Sequence, residues 1–180
     1  MKSGSRDFIR ILHNRIAELA VGPSALRNQG ATGVINAARE YFKKADALFF
    51  VAANKREFGH RLDRATEELR RRFPRNARHW GTARKAINLF LRDVSYSSVL
   101  SRHYHMERVE QWLEVPLDRD VSRGIQSDFR EGVLPQWKGV KHLTPKDSAT
   151  YQKAAQTIAN EKQLARVHLD LFYWRRGIDK

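Results

Sequence analysis

The chain has 180 residues, of which 34 are lysine or arginine and 20 are aspartate or glutamate, so its formal net charge is +14. Such an excess of positive charge usually indicates a polyanionic partner, most often a nucleic acid, with a membrane surface as the main alternative. The absence of cysteine excludes disulfides, thiolate zinc sites and cysteine-ligated iron–sulfur clusters. No apolar run approaches the roughly 18 residues that a membrane-spanning helix needs.

The length suits one domain with a hydrophobic core, and we expect a single domain over 1–180 in which 1–6 form a flexible tail. The basic residues at the N-terminus are not followed by the apolar segment of a signal peptide. We therefore expect an intracellular protein, cytoplasmic and nucleoid-associated, that acts as a monomer. No metal site is expected, because His103 and His105 are two residues apart and do not share a helix face.

The sequence pattern is helical nearly throughout. Apolar residues at intervals of three and four predict a first helix with Phe8, Leu12 and Leu19 on one face. Glycine, proline, serine and asparagine then predict a loop over 21–30. A second amphipathic helix is predicted over 34–50.

Two long helices are predicted in the middle of the chain. The first covers 55–73 and is strongly basic, and it ends before Pro74, which cannot continue a helix. Its arginines form a face that either tracks phosphates or is simply solvated. After a turn at 79–82, the next helix runs to about Leu100.

Shorter helices are predicted in the rest of the chain, with a loop containing proline, tryptophan and glycine between them. The predicted helices cover about 106–113, 116–125, from 144 or 147 to 163, and 164–177, and the loop covers 132–144. Valine and threonine do not alternate with polar residues as they do in strands. The pattern thus predicts an all-α fold of about seven to nine helices.

Lys85 is the first candidate for chemistry. The segment 79–85 indicates a tight turn that leads into a helix, with Thr82 as the predicted N-cap. Lys85 would then lie in the first turn, at the positive end of the helix dipole, where a cation is disfavoured. A lysine that gives up its proton is a candidate nucleophile, and free N–H groups of the turn could bind a phosphate. The alternative is an ordinary solvated lysine near a helix start.

Basic side chains surround a tryptophan in the same region, and basic groups beside an aromatic ring suit a nucleic-acid backbone and an exposed base. The alternative is a solvated patch whose tryptophan packs inward. The predicted DNA-binding residues are Arg75, Arg78, His79, Trp80, Gly81, Thr82 and Arg84.

Two further segments carry carboxylates with possible roles. Asp118 begins a short predicted helix, where aspartate is a preferred cap, but a carboxylate held there can also stabilise a developing cation or move a proton. Asp120 could serve instead, or pair with Arg119 or Arg123.

Asp170 lies among apolar residues near the C-terminus. A buried carboxylate without a partner is costly, so it either pairs with an arginine or faces a cavity. Trp174 is four residues later and shares its helix face. Together they resemble a pocket wall with one acceptor and one stacking surface, and the alternative is a core tryptophan beside a structural salt bridge.

Together these motifs resemble those of helix-hairpin-helix DNA glycosylases, which carry a hairpin, then a lysine that opens a helix, then a Val-Pro-Val-Asp-like motif. The counterparts here are 81–85 and 115–118. The archaeal 8-oxoguanine DNA glycosylase branch is most similar, since it has a long insertion between lysine and aspartate and a second acid like Asp120. It also has a His-Ile-Asp-x-x-x-Trp-like helix, matched by 168–174. The family's Leu-Pro-Gly-Val-Gly hairpin is replaced here by Arg-His-Trp-Gly-Thr at 78–82.

The resemblance implies a compact helix-hairpin-helix fold and a DNA glycosylase with AP-lyase activity, which flips a modified base out of duplex DNA and excises it. Lys85 would be the Schiff-base nucleophile and Asp118 the catalytic carboxylate, so the two groups must lie together. Asp170 and Trp174, with Asp120 nearby, would line the base pocket. The expected substrate is 8-oxoguanine or another modified purine, and no metal or organic cofactor is required.

Three other functions stay open at this stage. The first is a non-catalytic nucleic-acid-binding module with this fold, and the second is an enzyme acting on the hypermodified bases of phage DNA. The third is a helical interaction protein whose basic face meets an acidic protein. The enzymes would release a base from DNA, whereas the nucleic-acid-binding module and the interaction protein would release none.

Overall fold

Eight α-helices make up most of the computed structural model, which describes residues 3–26, 32–130 and 132–174. These ranges contain no β-strand, which confirms the predicted all-α class with seven to nine helices. None of the helices in them is both long and apolar enough to cross a lipid bilayer. The helices are α1 (Ser3–Leu19), α2 (Val34–Lys44), α3 (Lys55–Arg72), α4 (Trp80–Tyr96), α5 (Ser98–Tyr104), α6 (Arg119–Asp128), α7 (Pro145–Glu161) and α8 (Leu169–Tyr173).

Polar N-caps set the starts of four helices, α3, α5, α6 and α7. The side chain of Asn54 accepts a hydrogen bond from a first-turn N–H of α3, and Thr144 does the same for α7. Asp118 accepts from two such groups of α6. These N–H groups have no partner within the helix, so a side-chain acceptor at this position stabilises the start.

The N-terminal part of the chain departs from the predicted element boundaries. The predicted flexible tail is helical over 3–6, and its first two residues lie outside the described ranges, as do positions 27–30 of the predicted loop. The second helix ends at Lys44 rather than near residue 50. Asp46 accepts a hydrogen bond from the Leu48 N–H and starts a separate 3₁₀ turn, because aspartate competes with the helix for nearby N–H groups.

Three predicted helices are either divided in two or replaced in part by 3₁₀ turns. The helix predicted to reach about Leu100 is α4 followed by α5, since Ser97 caps a new helix there. The segment 106–113 forms two 3₁₀ turns rather than an α-helix. The last predicted helix is a 3₁₀ turn, Arg166–His168, followed by α8, and its predicted end after Trp174 lies outside the described ranges.

Two groups of buried apolar side chains form the interior. The larger belongs mainly to α1–α5 and includes Phe42 and Phe90, whose rings stack with centroids 4.5 Å apart. The smaller belongs mainly to α6, α7 and α8. Helix α4 contributes to the larger group, while Trp80 at its start packs against the smaller one. The adjacent residues Arg84 and Lys85 therefore lie where the two groups meet.

Helices α6 and α8 approach closely at Gly124. A Cβ atom added there would overlap the ring of Tyr173, so the contact requires glycine. Asp118 begins α6 and Asp170 lies in α8. The close packing of the two helices therefore brings these two carboxylates into one region.

Candidate active site and nucleic-acid surface

The centre of the candidate site is an ion pair between α4 and α6. Nζ of Lys85 lies 3.3 Å from Oδ2 of Asp118, and the lysine side chain is 7% exposed. The other carboxylate oxygen, Oδ1, accepts hydrogen bonds of 3.0 Å from the N–H groups of Asp120 and Val121. One oxygen thus caps the helix and the other contacts the amine, so the cap holds the carboxylate in place beside Lys85.

The position of Lys85 in its helix differs from the prediction. Helix α4 begins at Trp80 and its N-cap is His79, so the predicted N-cap, Thr82, is a buried residue inside the helix. Lys85 lies five residues after Trp80, beyond the first turn. The effect of the helix dipole falls off within that turn, so it is the nearby carboxylate of Asp118 that shapes the surroundings of the amine.

Asp170 belongs to the same electrostatic neighbourhood. Burial raises the pKa of Asp170, the ion pair with Arg92 opposes the shift, and Asp118 raises the pKa further while Lys85 lowers it. Lys85 and Asp118 therefore lie close enough to Asp170 to change the pKa of its carboxyl group. Of the two alternatives open in the sequence, pairing with an arginine is the one observed.

Arg92 is the residue of this region that sequence reasoning missed. It forms the ion pair with Asp170, and its Nη2 also lies 2.7 Å from Oδ1 of Asp93. Burial raises the pKa of Asp93, against the lowering effect of Arg92. Arg92 is seven residues after Lys85, so both lie on one face of α4, and this spacing is the signal that could have identified it.

A histidine extends the polar cluster towards the protein surface. The hydroxyl of Tyr96 lies 3.0 Å from Nδ1 of His168, and Nε2 of His168 lies 3.4 Å from Glu110. Burial, more than any nearby charge, raises the pKa of Tyr96 to about 12. The phenol is therefore a hydrogen-bonding group rather than a base at neutral pH.

The remaining predicted pocket residues lie nearer the solvent. Trp174 is 61% exposed, so it is not a core tryptophan, and its backbone N–H donates to the backbone carbonyl of Asp170 at 2.9 Å. Asp120 is exposed, and its carboxylate lies 3.6 Å from Nε of Arg119, one of the two partners that the sequence offered. Trp174 and Asp170 are thus one helical turn apart, and the side chains of Trp174 and Asp120 both lie at the surface.

Three residues of the predicted DNA-binding surface are buried, which corrects the prediction for them. A Cβ on Gly81 would overlap the carbonyl oxygen of Val140, and Thr82 is fully buried. The guanidinium of Arg84 is 8% exposed and binds Glu114 at 2.8 and 3.1 Å. Helix α4 starts earlier than expected, so these positions face the interior rather than a nucleic acid.

Arg84 donates four side-chain hydrogen bonds. Nη1 donates to Asp63 at 2.8 Å and to the hydroxyl of Thr66 at 3.0 Å, in addition to the two bonds with Glu114. Burial favours the neutral form of Glu114, but Arg84, with smaller contributions from Arg166 and Asn88, more than offsets it, so the pKa of the carboxyl is lowered. This ion-pair cluster is closed, and we assign it a structural role.

The other predicted DNA-binding residues remain at or near the surface. Arg75 and Arg78 are exposed, although Nε of Arg78 donates to a backbone carbonyl. Trp80 is half-buried beneath the guanidinium of Arg84, at 5.2 Å.

Burial lowers the pKa of His79, and the nearby charges of Lys141 and His142 lower it further. The sequence did not link these two residues to the patch, because they are some 60 positions away along the chain. The surface cluster, called the basic patch below, consists of Arg75, Arg78, His79, Lys141 and His142.

Among the described residues, no group of three or more histidine, aspartate and glutamate side chains is arranged to hold a metal ion. The chain has no significant match to a protein-family model, a curated protein or a solved structure.

Proposed function

We propose that this protein is a DNA glycosylase with AP-lyase activity, which excises a modified purine, with 8-oxoguanine as the first candidate. The observation that carries the proposal is the 3.3 Å contact between the amine of Lys85 and the carboxylate of Asp118. These residues are 33 positions apart in the chain, come from different helices, and occur in the order of the family that the sequence resembles.

The pair has the groups that cleavage of an N-glycosidic bond requires. Asp118 accepts a proton from the ammonium of Lys85, and the amine attacks C1′ of the flipped nucleotide. The bond from C1′ to the base breaks, and its electron pair leaves with the base, which takes up a proton. In the alternative role, Asp118 stays ionised and stabilises the positive charge that develops on the sugar.

Strand cleavage follows from the same covalent bond. Opening of the sugar ring gives an imine between Nζ of Lys85 and C1′, which acidifies the hydrogens at C2′. Loss of one of these protons and departure of the 3′ phosphate complete a β-elimination, and water then releases the lysine. These steps use protein groups and water alone.

Neighbouring residues support base flipping and recognition. Extruding a nucleotide costs a few kcal/mol, which contacts between the basic patch and phosphates offset. The exposed ring of Trp174 offers a stacking surface near Asp170, and the Asp170 carboxylate, held by Arg92, offers an acceptor for the edge of a base. Asp120, exposed on the first turn of α6, belongs to the rim of this pocket in the proposal.

Borohydride trapping tests the proposal directly. The native protein should form a covalent adduct with a duplex containing an abasic site, and with one containing 8-oxoguanine. Lys85→Ala should form neither adduct, whereas Lys153→Ala, which removes an exposed lysine of α7, should form both. An undiminished adduct in Lys85→Ala would refute the assignment, and a panel of other modified bases would identify the substrate if the abasic adduct forms alone.

A second candidate function is a non-catalytic DNA-binding module. It is favoured by the ion pair itself, since Lys85 is buried and already has a carboxylate partner. This function predicts salt-sensitive binding without release of any base. Lys85→Ala would then lower the affinity slightly and equally for all duplexes.

A further inference from the structure

A second concave site lies between the start of α7 and the segment that precedes it. The cavity has a volume of about 280 Å³. Its wall contains the indole of Trp137, two basic side chains, Lys138 and His142, and the phenol of Tyr151. None of these residues belongs to the Lys85 site.

The aromatic wall of this cavity is held rigidly. The rings of Trp137 and Tyr151 meet edge to face at 5.7 Å, with 82° between their planes. Tyr151 is buried in α7, and its hydroxyl donates to the carbonyl of Pro135 at 2.8 Å and accepts from Gln126 at 2.9 Å. Because Trp137 packs against this fixed ring, its indole loses little entropy when a flat ligand stacks on it.

Two basic side chains that can bind a phosphate line the cavity, together with one carboxylate. Lys138 and His142 line it, and His142 is also part of the basic patch. The one carboxylate in the wall, Asp147, accepts a hydrogen bond of 2.8 Å from the hydroxyl of Thr144 at the start of α7. This side chain is therefore engaged in capping the helix.

The cavity lies near the proposed catalytic lysine. Leu143 lines the cavity and also contacts the start of α4, since a Cβ on Gly81 would lie only 2.7 Å from Cβ of Leu143. Lys85 is four residues after Gly81, about 6 Å further along the helix axis. Leu143 thus connects the wall of the cavity to the helix that carries Lys85.

We propose that this cavity binds an unpaired nucleotide of the DNA strand. The base stacks on Trp137, and the phosphate is bound by Lys138 and His142. The volume suits a single nucleotide, since it lies just below the usual range for small-molecule sites. The inference rests on the proposed function only in taking DNA as the ligand, and it does not require catalysis.

Fluorescence anisotropy with two labelled duplexes tests this site. One duplex is intact, and the other has the same sequence with a short single-stranded gap. The native protein should bind the gapped duplex about tenfold more tightly, since stacking of one base on an aromatic ring contributes roughly 1–3 kcal/mol. Trp137→Leu should remove this preference and leave binding to the intact duplex within about twofold, whereas Trp137→Phe, which still stacks, should keep it.

Matched variants separate this proposal from the catalytic one. Lys138→Ala should reduce the preference for the gapped duplex, and Lys153→Ala, an exposed lysine of α7 outside the cavity wall, should not. Lys85→Ala should abolish adduct formation but keep the preference. Equal affinity of the native protein for both duplexes, or a preference that survives Trp137→Leu, would overturn the proposal whatever the outcome of borohydride trapping.

Discussion

Arg84 and Lys85 are adjacent buried cations with different surroundings. Arg84 donates to Glu114, Asp63 and Thr66, and its guanidinium is 8% exposed. Among the described residues, Lys85 donates only to Asp118, whose side chain is 34% exposed. A helix turns by about 100° per residue, so consecutive side chains of α4 meet different neighbours.

The difference separates a structural cation from one available for chemistry. Each N–H of a guanidinium that is bound to a buried acceptor would have to lose that bond before the group could act elsewhere. The ammonium of Lys85 has three donors and uses one of them, and its partner reaches solvent. Loss of the Lys85 proton to Asp118 therefore leaves fewer buried groups unsatisfied than any change at Arg84.

The largest effect on folding is expected from the Arg84 cluster. Glu114→Gln removes the buried carboxylate that neutralises Arg84, and we expect the free energy of unfolding to fall by about 3–5 kcal/mol. Asp63→Asn removes the solvent-exposed partner of the same guanidinium and should cost at most about 1 kcal/mol. Urea unfolding followed by circular dichroism measures both, and equal losses would contradict the assignment of Glu114 as the main partner.

Asp118 should combine a structural and a chemical role that two substitutions can separate. Asp118→Ala removes the N-cap of α6 and should cost about 1 kcal/mol, whereas Asp118→Asn keeps an acceptor for the cap and should cost only a few tenths. Both should lower the rate of base excision by a factor of about 10²–10⁴, because neither can accept a proton from Lys85. Single-turnover kinetics and urea unfolding provide the two readouts. Normal excision by Asp118→Asn would show that the carboxylate acts only as a cap.

Lys85→Met should change stability less than the same substitution at the neighbouring position. Removing the amine leaves Asp118 partly exposed and still capping α6. We therefore expect the free energy of unfolding to change by no more than about 1 kcal/mol. Arg84→Met leaves Glu114 buried without its main partner and should cost about 3–5 kcal/mol. If urea unfolding gives similar losses for the two variants, the distinction between a closed cluster and an available amine fails.

The smallest expected effect is on the pH dependence of stability, to which Glu114 and Asp170 should contribute in opposite directions. The pKa of Glu114 lies below its ordinary value of 4.5, so its stabilising contribution is complete above that pH and is lost as pH falls through the lowered pKa. The pKa of Asp170 lies above its ordinary value of 3.8, so the folded state binds the proton more readily, and the contribution of Asp170 declines as pH rises between the two values.

Urea unfolding between about pH 3 and pH 6 measures these slopes. Compared with the native protein, Glu114→Gln should lose stability less steeply as pH falls. Asp170→Asn should remove the opposing contribution and make stability rise more steeply with pH. Identical slopes in the native protein and both variants would show that these carboxyl groups do not titrate as the geometry indicates.

The order of helices and several of their starts could be predicted from the sequence. Apolar periodicity located α3 and α7 to within two residues, because their patterns are long and their ends carry Asn54, Pro74 and Thr144. The divisions after Lys44 and at Ser97 were missed. Local hydrogen bonds of a single aspartate or serine decide them, and the apolar pattern continues across both sites.

The start of α4 shows most clearly where sequence reasoning ended. Thr82 is a good N-cap by chemistry, yet the helix begins at Trp80 and buries the threonine. The close approach of Gly81 to Val140 and Leu143 shows what the local pattern left out, namely that a distant segment packs against this turn. This packing displaced three residues from the expected DNA-binding surface and added Lys141 and His142 to the basic patch.

Composition and periodicity by themselves determined a basic, all-helical chain and the types of residue available for chemistry, because these properties depend on local spacing and total charge. Only the tertiary structure decided that Arg84 has several buried partners, which carboxylate lies beside Lys85, and that Arg92 holds Asp170. Those outcomes depend on side chains that are far apart in the chain and meet only when the helices pack, so no local pattern encodes them.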